Sequence, residues 1–321
     1  MKKDDIHRNL LRAIEKKMPD KSALVEMLMD ILFLEKGAVY RRLRGEVPFT
    51  FIEIVHIAEK LDLSLNSLVY AESVRKNRFE LAFIEYAAMN ETEYKRWEDL
   101  IMFVKIAKND PHSELIDSSN ILPICIYTGF DALAKYHLFK YQYLLHGSKD
   151  RITYSNLVVS ERLHILFRSY FEESKNFANT MFIWDSMIFR YLATDIRFFS
   201  DIGLISGEDI ELIRNDLYAL VDYIEEITSI GCYKETGGYV SIYISEVNID
   251  STYICTRVNN IYLSLVRTFI LNSVESFDES SYRKIQAWIQ SQKRSATLIT
   301  QSGAAFRADF LEKQRKIIAE L

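Results

Sequence analysis

Positive charge is concentrated in one short segment near the start of the chain. Between Glu35 and Gly45 there are four basic residues and one acidic residue. The four are Lys36, Arg41, Arg42 and Arg44. Ammonium and guanidinium groups bind phosphate oxygens, and the arginine fork matches the acceptors on the edge of a guanine. The segment is therefore a candidate for contact with a nucleic acid, and the alternative is an ordinary solvated basic helix.

Hydrophobic spacing predicts that this segment is a helix with one buried side. Val39 and Leu43 lie four residues apart, so both are expected to face the core of a small domain. The residues expected to read base edges on the outward side are Lys36, Tyr40 and Arg41. Arg42 and Arg44 are expected to pair with phosphates, and Gly37 is expected to permit close approach to the duplex.

The segment after the basic helix predicts a tight connection to another helix. Gly45 suits the left-handed residue that ends a helix. Thr50 and Glu53 have the T-x-x-E spacing of a capping box, which starts a helix over Phe51–Leu61. Thr50 is included among the predicted DNA contacts. Helices are also predicted over residues 5–18, 23–32 and 65–70, which makes a five-helix domain.

Residues of about 20–70 resemble the lambda-repressor-like (Xre-type) helix-turn-helix family. The matching portions are Val39–Gly45, VYRRLRG, and Ile57–Ser64, IAEKLDLS. Where the family usually has small residues, in its second helix and the turn, this chain has Met29 and Phe33. The resemblance implies sequence-specific binding of double-stranded DNA by a homodimer.

Composition agrees with a two-domain DNA-binding protein once the charge is divided along the chain. The net charge is −5, but residues 1–70 carry 12 Lys/Arg and 11 Asp/Glu, while the remainder carries 28 and 34. With 321 residues, 49% of them apolar, the chain can build two cores. We predict a helix-turn-helix domain over residues 1–74 and a dimerisation or sensing domain over 75–321.

The second region is predicted to be mainly helical, so the predicted fold class is mainly α. Its helices are expected at residues 79–89, 91–108, 122–145, 156–175, 177–200, 209–230, 280–293 and 303–321. Alternation with period two begins after Gly238 and predicts a small antiparallel three-strand meander within residues 239–273. The loop Ser295–Gly303 is rich in Ser and Thr, which suits a capped turn better than an anion site.

The sequence shows no pattern typical of catalysis or of metal binding. Six histidines form no HxH or HExxH group, and three scattered cysteines form no CxxC pair. Walker, GxGxxG and GxSxG motifs are absent from the sequence. We therefore expect no enzyme, no cofactor and no metal. The sequence also has no long uncharged apolar run and no signal-peptide core, so a cytoplasmic protein without a membrane partner is expected.

These observations predict a cytoplasmic transcriptional regulator with a small-molecule or peptide effector as a further possible partner. One alternative is a non-catalytic protein or peptide interaction module with a degenerate helix-turn-helix. A second alternative is an enzyme whose site lies in the aromatic-rich segment His164–Phe199, although such a cluster is more often ordinary core.

Overall fold

The computed structural model describes residues 3–18, 20–61, 63, 79–147 and 152–321. The chain divides into two compact units, Met1–Lys76 and Asn77–Leu321. The predicted helix over residues 65–70 lies outside the described residues.

The described part of the first unit consists of four helices around one core. They are α1 (Lys3–Lys17), α2 (Lys21–Leu32), α3 (Lys36–Leu43) and α4 (Phe51–Lys60). The Asp20 carboxylate caps α2 by accepting hydrogen bonds from the amides of Ser22 and Ala23. All four helices contribute buried side chains to the core, which include Leu10, Ile14, Leu24, Leu28, Val39 and Ile57. Burial of these apolar stripes is what holds the short helices together.

The second unit is built on one mixed sheet. Its strands are β1 (Glu80–Ala82), β2 (Glu114–Ser119), β3 (Asn179–Asp185), β4 (Tyr239–Ser245), β5 (Tyr253–Val258), β6 (Ile261–Thr268), β7 (Asn272–Ser276) and β8 (Ala296–Leu298). Their order in the sheet is β1-β7-β6-β5-β2-β3-β4-β8. The pairs β2–β3 and β3–β4 are parallel, and the other neighbouring pairs are antiparallel.

Helices cover the two faces of this sheet unequally. In chain order they are α5 (Glu91–Ile106), α6 (Ile124–Tyr127), α7 (Asp131–His146), α8 (Glu161–Ser174), α9 (Ile188–Asp201), α10 (Gly207–Ile230), α11 (Glu279–Gln292) and α12 (Ala304–Ala319). The large core packs most of them against one face, where Leu115, Phe182 and Ile242 point. On the other face Ile116 and Met181 pack with residues of α11. The result is a sheet between two helical layers.

The prediction of a mainly α fold with a small three-strand meander is wrong. Within the described residues the second unit has an eight-stranded mixed sheet, so it is an α/β fold. An antiparallel meander is present, but it consists of β5, β6 and β7 and forms one half of the larger sheet. The segment predicted as its first strand forms β4, which instead pairs with β3 and β8.

The strands β2 and β3 escaped prediction because they are buried on both faces. Leu115 of β2 faces the large helical layer, whereas Ile116 faces α11. In β3 the four residues Met181–Trp184 are all apolar and all buried. Because β3 is covered on both faces it loses polar alternation, and periodicity then fails to distinguish it from a buried helix. β2 has no apolar run to mark it, since its last three residues, Asp117–Ser119, are polar although they are buried.

Three of the predicted helices are also corrected. Residues 79–89 contain β1 and a turn, and residues 177–200 contain β3 followed by α9. The predicted helix over residues 122–145 is divided into α6 and α7. The division lies at Gly129, where an added Cβ would stand only 2.7 Å from the ring of Phe171. The backbone bends there against an aromatic ring that lies far away in the sequence.

Asp117 is a buried carboxyl group in the middle of β2, with 1% of its surface exposed. Its Oδ1 atom has no hydrogen-bond partner among the described residues. Burial raises the pKa of Asp117 to about 7, and the nearby Ser119 hydroxyl and Arg267 guanidinium oppose this only in part. The native protein therefore keeps this carboxyl protonated at mildly acidic pH.

We expect the contribution of Asp117 to the free energy of unfolding to fall as the pH rises from about 4 to about 7. In that range the native state holds a proton that the unfolded chain, with its ordinary pKa of 3.8, has lost. The slope from one such group is at most about 1.4 kcal/mol per pH unit. Asp117→Asn removes this slope. All three tryptophans, at positions 97, 184 and 288, lie in the second unit, so fluorescence-detected urea unfolding reports on it. Parallel pH profiles of the variant and the wild type would contradict the raised pKa.

Candidate nucleic-acid interface

The helix α3 is short, and local contacts define where it starts and ends. Its N-cap residue Glu35 makes no side-chain cap hydrogen bond. At the other end Gly45 has a φ of 76°, and the amide of Glu46 donates to the carbonyl of Arg41 at 2.9 Å. This left-handed residue ends the helix. Val39 is fully buried in the core of the unit, so the opposite side of α3 is turned outward.

Most of the predicted DNA-contact residues are exposed to solvent. The exposed members are Lys36, Gly37, Tyr40, Arg41, Arg44 and Thr50. Arg41 and Arg44 have 61% and 62% of their side-chain surface exposed. Tyr40 is 40% exposed, so its ring lies partly against the unit and partly in solvent. Lys36, Gly37, Tyr40 and Arg41 lie on α3, Arg44 is its C-cap, and Thr50 is the N-cap of α4.

Arg42 has a different environment, because its side chain turns toward α4. Its Nε and Nη2 atoms donate to the two carboxylate oxygens of Glu53 at 3.2 and 2.9 Å. Only 16% of the Arg42 side chain and 15% of the Glu53 side chain are exposed. Two parallel charge-assisted hydrogen bonds of this kind fix both distance and direction. Arg42 therefore joins α3 to α4 within the unit.

Glu53 also caps the amino end of α4. Its Oε2 accepts from the Thr50 amide at 2.7 Å, and the Thr50 hydroxyl accepts from the Glu53 amide at 3.3 Å. Burial alone would raise the pKa of Glu53, but the hydrogen bonds from Thr50 and from Arg42 outweigh it and the pKa lies below its ordinary value. One ionised carboxylate thus holds both the start of α4 and the side chain of α3.

One acidic side chain lies among the exposed cations. Glu46 pairs with Arg44 at 2.8 Å, and its carboxylate is 3.8 Å from Nε of Arg41. Both pairs are solvent-exposed, so each contributes about 0–1 kcal/mol. A phosphate can displace such a partner at little cost. Glu46 keeps the two guanidinium groups on the same side of the helix without locking them.

Sequence reasoning missed the partners that orient the basic residues. Glu53 is eleven positions from Arg42, so no helical spacing relates the two, and only its place in the capping box singled it out. His7 was also missed: its ring lies 5.6 Å from that of Phe49, and its Nε2 lies 3.3 Å from the Arg42 carbonyl. These residues become neighbours only when α1, α3 and α4 pack together.

The second unit contains a cavity of about 390 Å³ on the sheet face where α11 packs on β6, β5 and β2. Side chains from β2, β3 and β4 line it, among them the register neighbours Ile116, Met181 and Ser241. Lys293 and Gln301 also line it. The volume is within the usual range of small-molecule sites.

In the described parts of the chain, no three His, Cys, Asp or Glu residues converge in a way that would hold a metal ion. None of the helices among the described residues combines the length and the apolar character needed to cross a membrane.

Comparison of the chain with protein-family models, with curated proteins and with solved structures finds no match in any of the three. The resemblance of residues 20–70 to the helix-turn-helix family therefore stays a prediction.

We expect Arg42→Ala to destabilise the first unit by roughly 2 kcal/mol or more, because it leaves the shielded Glu53 carboxylate without its cation. Arg41→Ala removes an equal charge from an exposed position and should change stability by less than about 0.5 kcal/mol. The first unit has no tryptophan, so hydrogen exchange of the α3 and α4 amides in the full chain is the suitable measurement. Equal protection of these amides in both variants would show that the ion pair is not needed.

Proposed function

We propose that this protein is a sequence-specific DNA-binding regulator of transcription that places α3 in the major groove of double-stranded DNA. The observation that carries the proposal is the outward basic face of α3, where Arg41 and Arg44 stay largely exposed while Val39 is buried. The major groove admits an α-helix, and the first residues of such a helix reach the base edges.

The environments of the side chains support a division of roles. We assign base contacts to Lys36, Tyr40 and Arg41, which lie on the exposed side of α3. Arg44, close to the end of the helix, is assigned to a phosphate. We assign Arg42 a positioning role in place of the predicted phosphate contact, because both of its forked nitrogens are engaged by Glu53.

Two smaller residues complete the proposed interface. Gly37 has no atom within 4 Å of where a Cβ would stand, so the domain itself does not require glycine there. A duplex that comes close to the backbone would require it. The Thr50 hydroxyl accepts from the Glu53 amide, which leaves its own proton to donate to a phosphate oxygen.

The second unit is proposed to dimerise the protein, to bind an effector, or to do both, in the cytoplasm. The cavity beside Lys293 supports a small-molecule effector, because its volume suits one. A two-fold dimer would bind an inverted repeat with half-sites about 34 Å apart. The operator would then reflect the symmetry of the protein.

Selection of bound sites from random duplex DNA by the full-length protein tests this proposal. Enrichment of one sequence, with an affinity that falls as salt rises, supports a sequence-specific regulator. Failure to bind any duplex at low salt would overturn it and favour the alternative of a non-catalytic protein or peptide interaction module.

Arg41→Ala should weaken binding to the selected duplex by roughly 1–3 kcal/mol and relax the preference for one base pair, because an arginine fork recognises a base edge. Competition binding on duplexes changed at single positions measures both effects. Lys95→Ala is the matched control, since it removes one exposed positive charge from the second unit. An equal loss on all sequences would make Arg41 a phosphate contact.

Gly37→Ala should stabilise α3 by up to about 1 kcal/mol, since alanine is the better helix former and the position is open. The same change should weaken DNA binding several-fold if the duplex closely approaches the helix backbone. Hydrogen exchange and duplex titration on the same sample measure the two effects. Binding that is unchanged or improved would remove Gly37 from the interface.

A further inference from the structure

Phe33 occupies an unusual backbone position at the end of α2. Its φ and ψ are 53° and 43°, which is the left-handed region, and its amide donates to the carbonyl of Met29. The amide of the next residue, Leu34, donates to the same carbonyl at 3.3 Å. Helix ends of this type usually have glycine at the left-handed residue, because a Cβ strains that conformation.

The Phe33 side chain is also 92% exposed. The folded unit therefore accepts two unfavourable features at one residue: backbone strain, and a large apolar ring in water. Among the described residues of the unit, no hydrogen bond or ring contact of the Phe33 side chain offsets these costs. Positions that break local rules in this way are frequently functional, since an interaction outside the isolated chain offsets the cost.

The location of Phe33 indicates what that interaction is. It stands three residues before Lys36, at the amino end of α3, which is the end of a recognition helix that reaches into the groove. Its neighbours Lys36 and Gly37 are exposed members of the proposed interface. Of the groups on base edges in the major groove, the 5-methyl group of thymine is the apolar one, and phenylalanine is among the side chains that contact it.

We propose that Phe33 packs against the 5-methyl group of a thymine in the major groove and so helps to select that base. This inference rests on the proposed function, because it names one further base contact made by the same surface. Contact between ring and methyl removes apolar area of both from water. The free energy of this burial offsets part of what the exposed, strained residue costs the free protein.

A double-mutant cycle of binding affinities tests the proposal, with the Phe33 ring removed from the protein and the methyl group removed from the DNA, separately and together. The duplex is the one selected by full-length protein, and each thymine in a half-site is replaced in turn by deoxyuridine, which lacks only the methyl group. The proteins are the wild type, Phe33→Gly and Phe33→Asn, since both new residues tolerate the left-handed conformation. Phe51→Ala is the control, because Phe51 is an aromatic residue of the same unit that is 75% exposed on another helix.

The wild type and Phe51→Ala should lose about 3- to 10-fold in affinity at one or two of the substituted positions. Phe33→Gly and Phe33→Asn should bind the thymine duplex more weakly than the wild type does, by a similar factor. Each of these two variants should bind the thymine duplex and the deoxyuridine duplex with equal affinity. Hydrogen exchange of the α2 and α3 amides in Phe33→Gly should be unchanged or slower, which excludes unfolding as the cause.

Three results would overturn the inference. The first is that the affinity of Phe33→Gly still depends on the thymine methyl group. The second is that the affinity of the wild type is the same with deoxyuridine at every position, or that the wild type selects a site without thymine. The third is an equal loss on both duplexes together with a changed state of association, which would place Phe33 between two copies of the chain. Failure of the wild type to select any duplex would instead remove the proposed function itself, so the two failures are distinguishable.

Discussion

The ion pair between Arg42 and Glu53 is the contact on which the direction of α3 depends. The helix is only eight residues long, and a helix of that length is not stable by itself. Val39 is its buried anchor and Leu43 packs against the same core, but apolar contacts are not directional and leave the helix some freedom to rotate. The forked pair removes that freedom, and because Glu53 also caps α4 with Thr50, the two helices are oriented by one carboxylate. The pair therefore determines which of the four basic side chains point outward.

The helix α3 and the residues next to it combine several features that do not favour the stability of the free unit. Glycine weakens a helix at position 37, and Phe33 is both strained and exposed. Glu46 partly neutralises Arg41 and Arg44 in weak pairs that a phosphate can replace. None of these features would be expected if the surface contributed only to the stability of the free unit. Under the proposed function they share one explanation, which is that α3 would approach a partner with anionic groups and a close, partly apolar surface.

The second unit places its polar residues in a different way. Its central strand β2 carries Asp117 and Ser119 into the interior, where Oδ1 of Asp117 lacks a partner among the described residues. A buried carboxyl group with a pKa near neutrality lowers stability and is unusual in ordinary core. On the opposite face, the cavity beside Lys293 offers an apolar floor with hydroxyl and amide groups around it. Both features are taken as support for the proposal that the second unit binds an effector.

The amino-acid sequence by itself determined the features that depend on neighbours within about four residues. The capping box of Thr50 and Glu53, the left-handed Gly45 and the inward Val39 all follow from local spacing, and the structure has each of them. The alternating segment at the start of β4 likewise forms a strand, because one face of it stays partly polar.

Only the tertiary structure decided which distant groups meet. The charge and position of Arg42 predict a phosphate ligand. In the folded unit Glu53, eleven residues later in the chain, pairs with Arg42 and turns it inward. The parallel strands β2 and β3 are about sixty residues apart in sequence, and burial on both faces erased the alternation that would have marked them. The mainly α prediction failed for this reason: a local pattern records which side of a segment is apolar, whereas pairing between strands is a long-range choice made by packing.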